Sequence, residues 1–265
     1  MNFIQKLFSK SSEPQVQTMP SAPKQTSMPP EEPAKKQYVK PAIDETAIET
    51  ARKEGKKIVF DLLILDESGS MSSIYQPAIT GVNETLQTMR EAETENPEQR
   101  HFATLVTFDT SHFHHIYNAV TAPKAVDITA DQYRPCGGTP LFDAMGKAIS
   151  EMEQLAKEDD IVLVTVITDG YENASREYDC KAIKALVDRL RSEGWVFSYI
   201  GANQDVEKVA MSMSINNFRE FESTQEGASD MFQRSSRSRK AFYGKMGKLS
   251  KQQLRDEDFF EGWNS

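Results

Sequence analysis

Two stretches of the chain are apolar at nearly every position, "KIVFDLLILD" at 57–66 and "DIVLVTVITD" at 160–169. Runs of this length, rich in Val, Ile and Leu, predict strands covered on both faces. "WVFSYIGAN" (195–203) predicts a third. Elsewhere the period changes. Ile79, Val82, Leu86 and Met89 share one face of a helix predicted within 75–94, and helical patterns fill 44–55, 140–157, 178–194 and 205–215. Asp44 is expected to cap the first of these, and Gly55 and Gly194 to end two of them. "HFATLVTFD" and "HFHHIYNAV", divided by Asp109-Thr110-Ser111, read as a hairpin, and "NFREF" (217–221) as a last edge strand.

The order strand, helix, hairpin, helix, strand, helix, strand, helix predicts an α/β fold. It is an open, doubly wound, mostly parallel sheet with one antiparallel edge hairpin strand and helices on both faces. The ordered domain is expected over 44–245. Residues 1–43 read as a disordered Pro-rich tail, too poor in apolar residues to offset its ordering entropy. Its first ten residues place Phe3, Ile4, Leu7 and Phe8 at helical spacing, with Lys6 and Lys10 available for an opposite face. They suit either an incidental helical turn or an anchor that docks on a partner groove or an anionic membrane surface. Residues 246–265 read as an acidic-aromatic C-terminal tail. That tail is either a short binding motif, which in one version reaches the site described below, or a segment that packs back onto the domain.

Composition narrows the class. With 265 residues, 38% apolar and 27% charged, one medium domain has material for a core beneath a polar surface. A net charge of −9 argues against a general nucleic-acid binder. The two cysteines, Cys136 and Cys180, are too few for a disulfide scaffold and suit a reducing compartment. No run approaches the ~20 apolar residues of a membrane span, and the apolar stretch in "MNFIQKLFSKSS" is short for a secretory leader. The expected location is cytoplasmic.

Candidate chemistry sits at the ends of the apolar runs. Asp66, Ser68 and Ser70 in "ILDESGSMSS", Thr139 in "CGGTPLFD" and Asp169 in "VITDGYEN" are all carboxylates or hydroxyls. In an open parallel sheet, ligands gather where loops leave the carboxyl ends of strands, and neighbouring strands would bring Asp66 and Asp169 to one rim. Hard oxygen ligands without thiolate or imidazole suit Mg²⁺ or Mn²⁺ and argue against zinc or copper. Gly69 is expected to permit a tight bend in the first loop.

The D-x-S-x-S, distant Thr and T-D-G set, in this order, resembles the metal-ion-dependent adhesion site of von Willebrand factor A (vWA) domains, over roughly residues 56–225. The resemblance implies that Ser68, Ser70 and Thr139 bind the metal through their hydroxyls, while Asp66 and Asp169 act mainly through bound waters. It further implies a non-enzymatic module that takes an Asp or Glu carboxylate of a partner protein, an assembly or regulatory subunit of a bacterial-type cytoplasm. The oligomeric state has no signal in the sequence. The alternative is a metal-dependent hydrolase or phosphotransferase using Asp66. That chemistry needs a second carboxylate two residues on, where this chain has Ser68.

Four other features of the sequence have simpler readings. His112 and His114 fall on one face of a predicted strand and lack an obvious third zinc ligand, so a solvated edge is expected. Glu67 is expected to face solvent near the rim, and Cys136 to be an unreactive loop residue. The basic run "RSSRSRKAFYGK" (234–245) reads as a solvated helix face or a partner patch.

Overall fold

A computed structural model describes residues 38–265 apart from 262, 264 and 265, so the amphipathic decamer and most of the Pro-rich stretch lie outside the described residues. Thirteen main elements follow in order. They are α1 (Glu45–Lys53), β1 (Lys57–Asp66), α2 (Tyr75–Glu95), β2 (Gln99–Phe108), β3 (Phe113–Thr121), α3 (Leu141–Leu155) and β4 (Ile161–Thr168), then α4 (Cys180–Ser192), β5 (Val196–Gly201), α5 (Val206–Ser212), β6 (Asn217–Glu220), α6 (Gln225–Met246) and α7 (Lys251–Asp256). The strands form one sheet in the order β3-β2-β1-β4-β5-β6, parallel except for β3. This is the doubly wound, vWA-type α/β architecture, with the antiparallel strand at one edge.

The apolar runs are the central strands because each is buried on both faces. Residues of β1 alternate between two cores. Val59, Leu63 and Leu65 face α2 and α6, while Ile58, Phe60, Leu62 and Ile64 face α1, α3 and α4. The stripe Ile79, Val82, Leu86 and Met89 of α2 is buried as its spacing predicts. At Gly81 an added Cβ would stand 1.9 Å from the Phe232 ring, so glycine lets α6 lie directly on the α2 backbone.

One position breaks the alternation. Asp61, in the middle of β1, points into the α2/α6 core and is fully buried. Its Oδ1 accepts from Arg239 Nη1 (2.7 Å) and from the Tyr243 hydroxyl (2.8 Å), and its Oδ2 lies 3.1 Å from His101 Nδ1. Arg239 continues to Thr165 Oγ1 at 2.6 Å, and His101 to Gln99 Oε1 at 3.0 Å. The basic run at 234–245 is therefore corrected from a solvated face to half of a core helix. Ser235, Ser238, Arg239, Phe242 and Tyr243 are buried, because α6 carries the answering charge for Asp61.

The C-terminal segment also differs from the tail expected over 246–265. The compact unit runs from Tyr38 to Ser265. Ser250 caps α7 with a capping box, and Leu254, Phe259, Phe260 and Trp263 are buried in the α2/α6 core. Phe259 N donates to Asn217 Oδ1, at the start of β6, and Lys251 Nζ donates to the Glu158 carbonyl ahead of β4. Both contacts lie at the amino ends of the strands, opposite the rim where Asp66 ends β1. Its acidic groups are engaged there too: Glu257 and Glu261 pair with Lys245, and Asp258 with Arg219. Four apolar side chains explain the difference, since they bury area that a solvated tail would leave in water. At the other end, Asp44 pairs with Lys124 and makes no side-chain bond to its own helix.

Two outcomes check this account by chemical denaturation. Arg239→Met leaves Asp61 buried without a cation and should cost about 3–5 kcal/mol, whereas Asp61→Leu with Arg239→Met should recover much of the loss. Deleting residues 249–265 removes four large buried apolar side chains, each worth about 1.5–3 kcal/mol of burial, exposes the α2/α6 surface they cover, and should strongly lower the unfolding midpoint.

Candidate functional site

The rim begins with strand register. β1 and β4 are parallel neighbours, with Leu65 opposite Ile167, so Asp66 and the residues after Ile167 emerge side by side. Asp66 is fully buried. Its Oδ1 accepts from Ser68 N (2.7 Å) and its Oδ2 from Thr168 Oγ1 (2.6 Å). The Tyr133 hydroxyl holds the Asp66 carbonyl at 2.8 Å. Burial, opposed by these donors, pushes the Asp66 carboxyl up to about 6.

After Asp66 the chain turns through Ser68, in extended backbone, into a 3-10 turn at Gly69–Ile74. Ser68 Oγ and Ser70 Oγ lie 3.1 Å apart, and Ser70 Oγ donates to Asp169 Oδ1 at 2.5 Å. Asp169 Oδ2 accepts from Ser223 Oγ at 3.3 Å, and burial also raises this carboxyl. Thr139 is buried, and its loop is tied down by Asn173, whose Oδ1 accepts from Thr139 N and whose N–H donates to the Thr139 carbonyl. A methyl group added at Gly170 would stand 3.4 Å from Ser70 Oγ and 3.7 Å from Thr139 Oγ1. The two hydroxyls thus border one small space. All five sequence-predicted residues meet at the carboxyl ends of β1 and β4.

The first loop does bend at Gly69, but without a left-handed backbone there. Gly69 has no positive φ, and its N–H donates to the Gly137 carbonyl (3.1 Å). Gly137 is the strained position: φ is +69°, and a Cβ there would stand 2.5 Å from Thr110 Oγ1. Glu67 is corrected as well. It is buried, and it accepts from His112 Nε2 (2.8 Å) and from the Arg134 N–H. His112 reaches Asp109 through Nδ1 at 2.9 Å, and Cys136 Sγ donates to Asp109 Oδ2 at 2.8 Å. Burial opposes the charged form of His112, but Glu67 and Asp109 outweigh it and hold this residue above the usual histidine range. His112 is thus half-buried bracing behind the loop that follows Asp66, not a solvated edge. The adjacent Asp109 acceptor pushes the Cys136 thiol up, away from nucleophile behaviour.

Sequence reasoning missed Thr168, Ser223, Asn173 and Tyr133. Thr168 adjoins Asp169 in "ITDG", and a polar residue closing an apolar run was its signal. Ser223 lies 54 positions from its acceptor and carries none.

Among the described residues no three His, Cys, Asp or Glu side chains gather as a metal-ligand group. The rim holds two carboxylates and three hydroxyls instead. Its donor chemistry fits a small hard cation. Asp66 and Asp169 lie together in the interior, and the bonds they accept come from hydroxyls and a backbone N–H, with no cationic side chain paired to either among the described residues. Such a pair lacks positive charge.

No protein-family model matches the sequence, and no curated protein matches it. Solved structures match the fold. The PilB minor pilin from Streptococcus sanguinis aligns at 11% identity and TM-score 0.51, over 70% of this chain and 62% of the pilin. Proximal thread matrix protein 1 from the mussel byssus aligns at 18% identity and TM-score 0.50, over 67% of this chain and 45% of its own. The pilus adhesin SpaC from Lactobacillus rhamnosus GG aligns at 14% identity and TM-score 0.50, over 69% of this chain and 30% of the adhesin. The chain therefore spans less than two thirds of these proteins, and at such identities the likeness is one of fold.

Proposed function

We propose that the chain is a Mg²⁺- or Mn²⁺-dependent protein-binding module, an assembly or regulatory subunit rather than an enzyme. The observation behind this reading is the uncompensated pair Asp66 and Asp169, enclosed by hydroxyls. By the vWA resemblance, Ser68, Ser70 and Thr139 would hold the cation directly, and Asp66 and Asp169 through water. A dication held mainly by neutral hydroxyls keeps much of its charge and would draw an Asp or Glu carboxylate from a partner.

The chain's own residues support the role by rigidity. Thr168 and Ser68 N fix both oxygens of Asp66, Asn173 fixes Thr139, and Glu67 is pinned between His112 and Arg134 N. Such a preformed rim binds without a large ordering cost. Next to it Tyr171, 57% exposed, stands two residues after Asp169 and offers a partner an aromatic surface. Asp66 is poorly disposed to be the nucleophile of the hydrolase reading, since it is fully buried and both its oxygens are engaged inside the rim. Among the described residues no helix is long and apolar enough to cross a membrane.

In isothermal titration, Mn²⁺ should bind the full chain no tighter than about 10⁻⁴ M, because few anionic ligands surround it. Ser70→Ala and Asp169→Ala should abolish that binding, with Ser70→Ala changing stability by less than about 1 kcal/mol. Retained binding in both variants removes the metal reading. Affinity purification in Mg²⁺ should recover partners that are lost in EDTA and with Asp169→Ala. Tyr171→Ala should weaken the same partners by about tenfold, the effect of an interface anchor, while leaving Mn²⁺ titration unchanged.

A further inference from the structure

A cleft of about 800 Å³ opens directly beside the rim, bounded by Pro140 and Asn173, which flank and fasten Thr139. It runs between the β2–β3 turn and the start of α3. Six acidic or basic side chains line it: Asp109, His112, Asp143, Lys147, Arg176 and Glu177. Their charges are not equally available.

Asp143 accepts from the N–H groups of Arg176, Glu177 and Tyr178, each at 2.8 Å. Asp109 accepts from Ser111 N, Ser111 Oγ, His112 N and Cys136 Sγ. Asp143, on α3, is thus occupied by the 176–178 segment, and Asp109 by its own turn and Cys136. His112 is spent between Glu67 and Asp109. The cations are different. Among the described residues neither Lys147 nor Arg176 has a carboxylate in ion-pair range, and both are exposed. Lys147 Nζ rests 4.3 Å from the centre of the Phe113 ring, a contact that steadies the ammonium while leaving its N–H groups free. Glu177 is the only unsaturated acid lining the cleft. Asp109 and Asp143 keep their charge but have their oxygens occupied, so the groups in the cleft still free to bond are the donors Lys147 and Arg176 and the single acceptor Glu177, and the cleft's volume falls in the ~300–1,000 Å³ range of ligand clefts.

We infer that this cleft is a second anchor for the partner: an acidic protein segment whose one carboxylate goes to the rim and whose second is held by Lys147 and Arg176. This inference rests on the binding reading above, and it adds what that partner must look like. A lone acidic residue fills only half of the surface, so selectivity for clustered acids comes from the cleft and metal dependence from the rim.

The test uses the full chain and two fluorescein-labelled probes of equal length, octaglutamate and a Gly-Ser peptide with one Glu, followed by anisotropy in Mn²⁺ at fixed ionic strength. Wild type should bind octaglutamate more tightly than the single-Glu probe. Lys147→Glu with Arg176→Glu should weaken octaglutamate at least tenfold and leave the single-Glu probe and Mn²⁺ titration unchanged. Lys208→Glu with Lys248→Glu carries the same charge change on surfaces outside the cleft and should have little effect. Equal weakening by this control, or wild-type octaglutamate binding by the cleft variant, overturns the inference. EDTA and Asp169→Ala separate the two readings. If neither affects the single-Glu probe, the rim reading fails, while octaglutamate binding that still depends on Lys147 and Arg176 keeps the cleft.

Discussion

A carboxylate in the middle of a central strand sets the terms for this molecule. Asp61 cannot stay charged inside a hydrocarbon core without a cation and further donors, and α6 delivers them as Arg239 and Tyr243. The ion pair therefore fixes where α6 lies on the sheet and how it is rotated. That placement reaches the rim, because Ser223, just ahead of α6, bonds Asp169, and Gln225 Nε2 in its first turn bonds the Ser73 carbonyl. The amino end of the helix thus touches the site, and its carboxyl end, through Lys57 Nζ on the Met246 carbonyl, closes the opposite end of the sheet.

The rim itself follows from register and from small residues. Parallel pairing of β1 with β4 brings Asp66 and Thr168 to one level, and Gly137 and Gly170 leave room for the hydroxyl loops to approach. Hydroxyls are what make the place unusual. They satisfy a carboxylate's hydrogen bonds without neutralising it, so the rim stays short of positive charge while every local polar contact is made. In the neighbouring cleft the oxygens of Asp109 and Asp143 are likewise occupied by N–H groups, and the side chains left free to bond are mostly cations.

Much of this was legible in the chain. The unbroken Val, Ile and Leu runs located β1 and β4, and the residues closing those runs located the rim, since in such a sheet position along a strand decides position in the site. Local pattern failed where a partner lay far away. The run 234–245 looks polar because Arg239 and its serines are polar, and nothing nearby in sequence says that Asp61 awaits them. Phe259, Phe260 and Trp263 looked like a tail because acidic residues surround them, although Lys245 and Arg219 answer those charges in space. Glu67 looked like a free position because its acceptor role depends on His112, 45 residues on.

The same separation bears on how the chain is made. Arg239 follows Asp61 by 178 residues, so β1 and its neighbours leave a ribosome long before the charge they need exists. Until α6 arrives, dehydrating that face of the sheet would leave the carboxylate with His101 but without its arginine and tyrosine, which disfavours burial of the apolar neighbours. Asp61 is thus a brake on early collapse, released by the last third of the sequence. A truncated chain lacking α6 would have a buried acid on β1 with neither Arg239 nor Tyr243 to answer it.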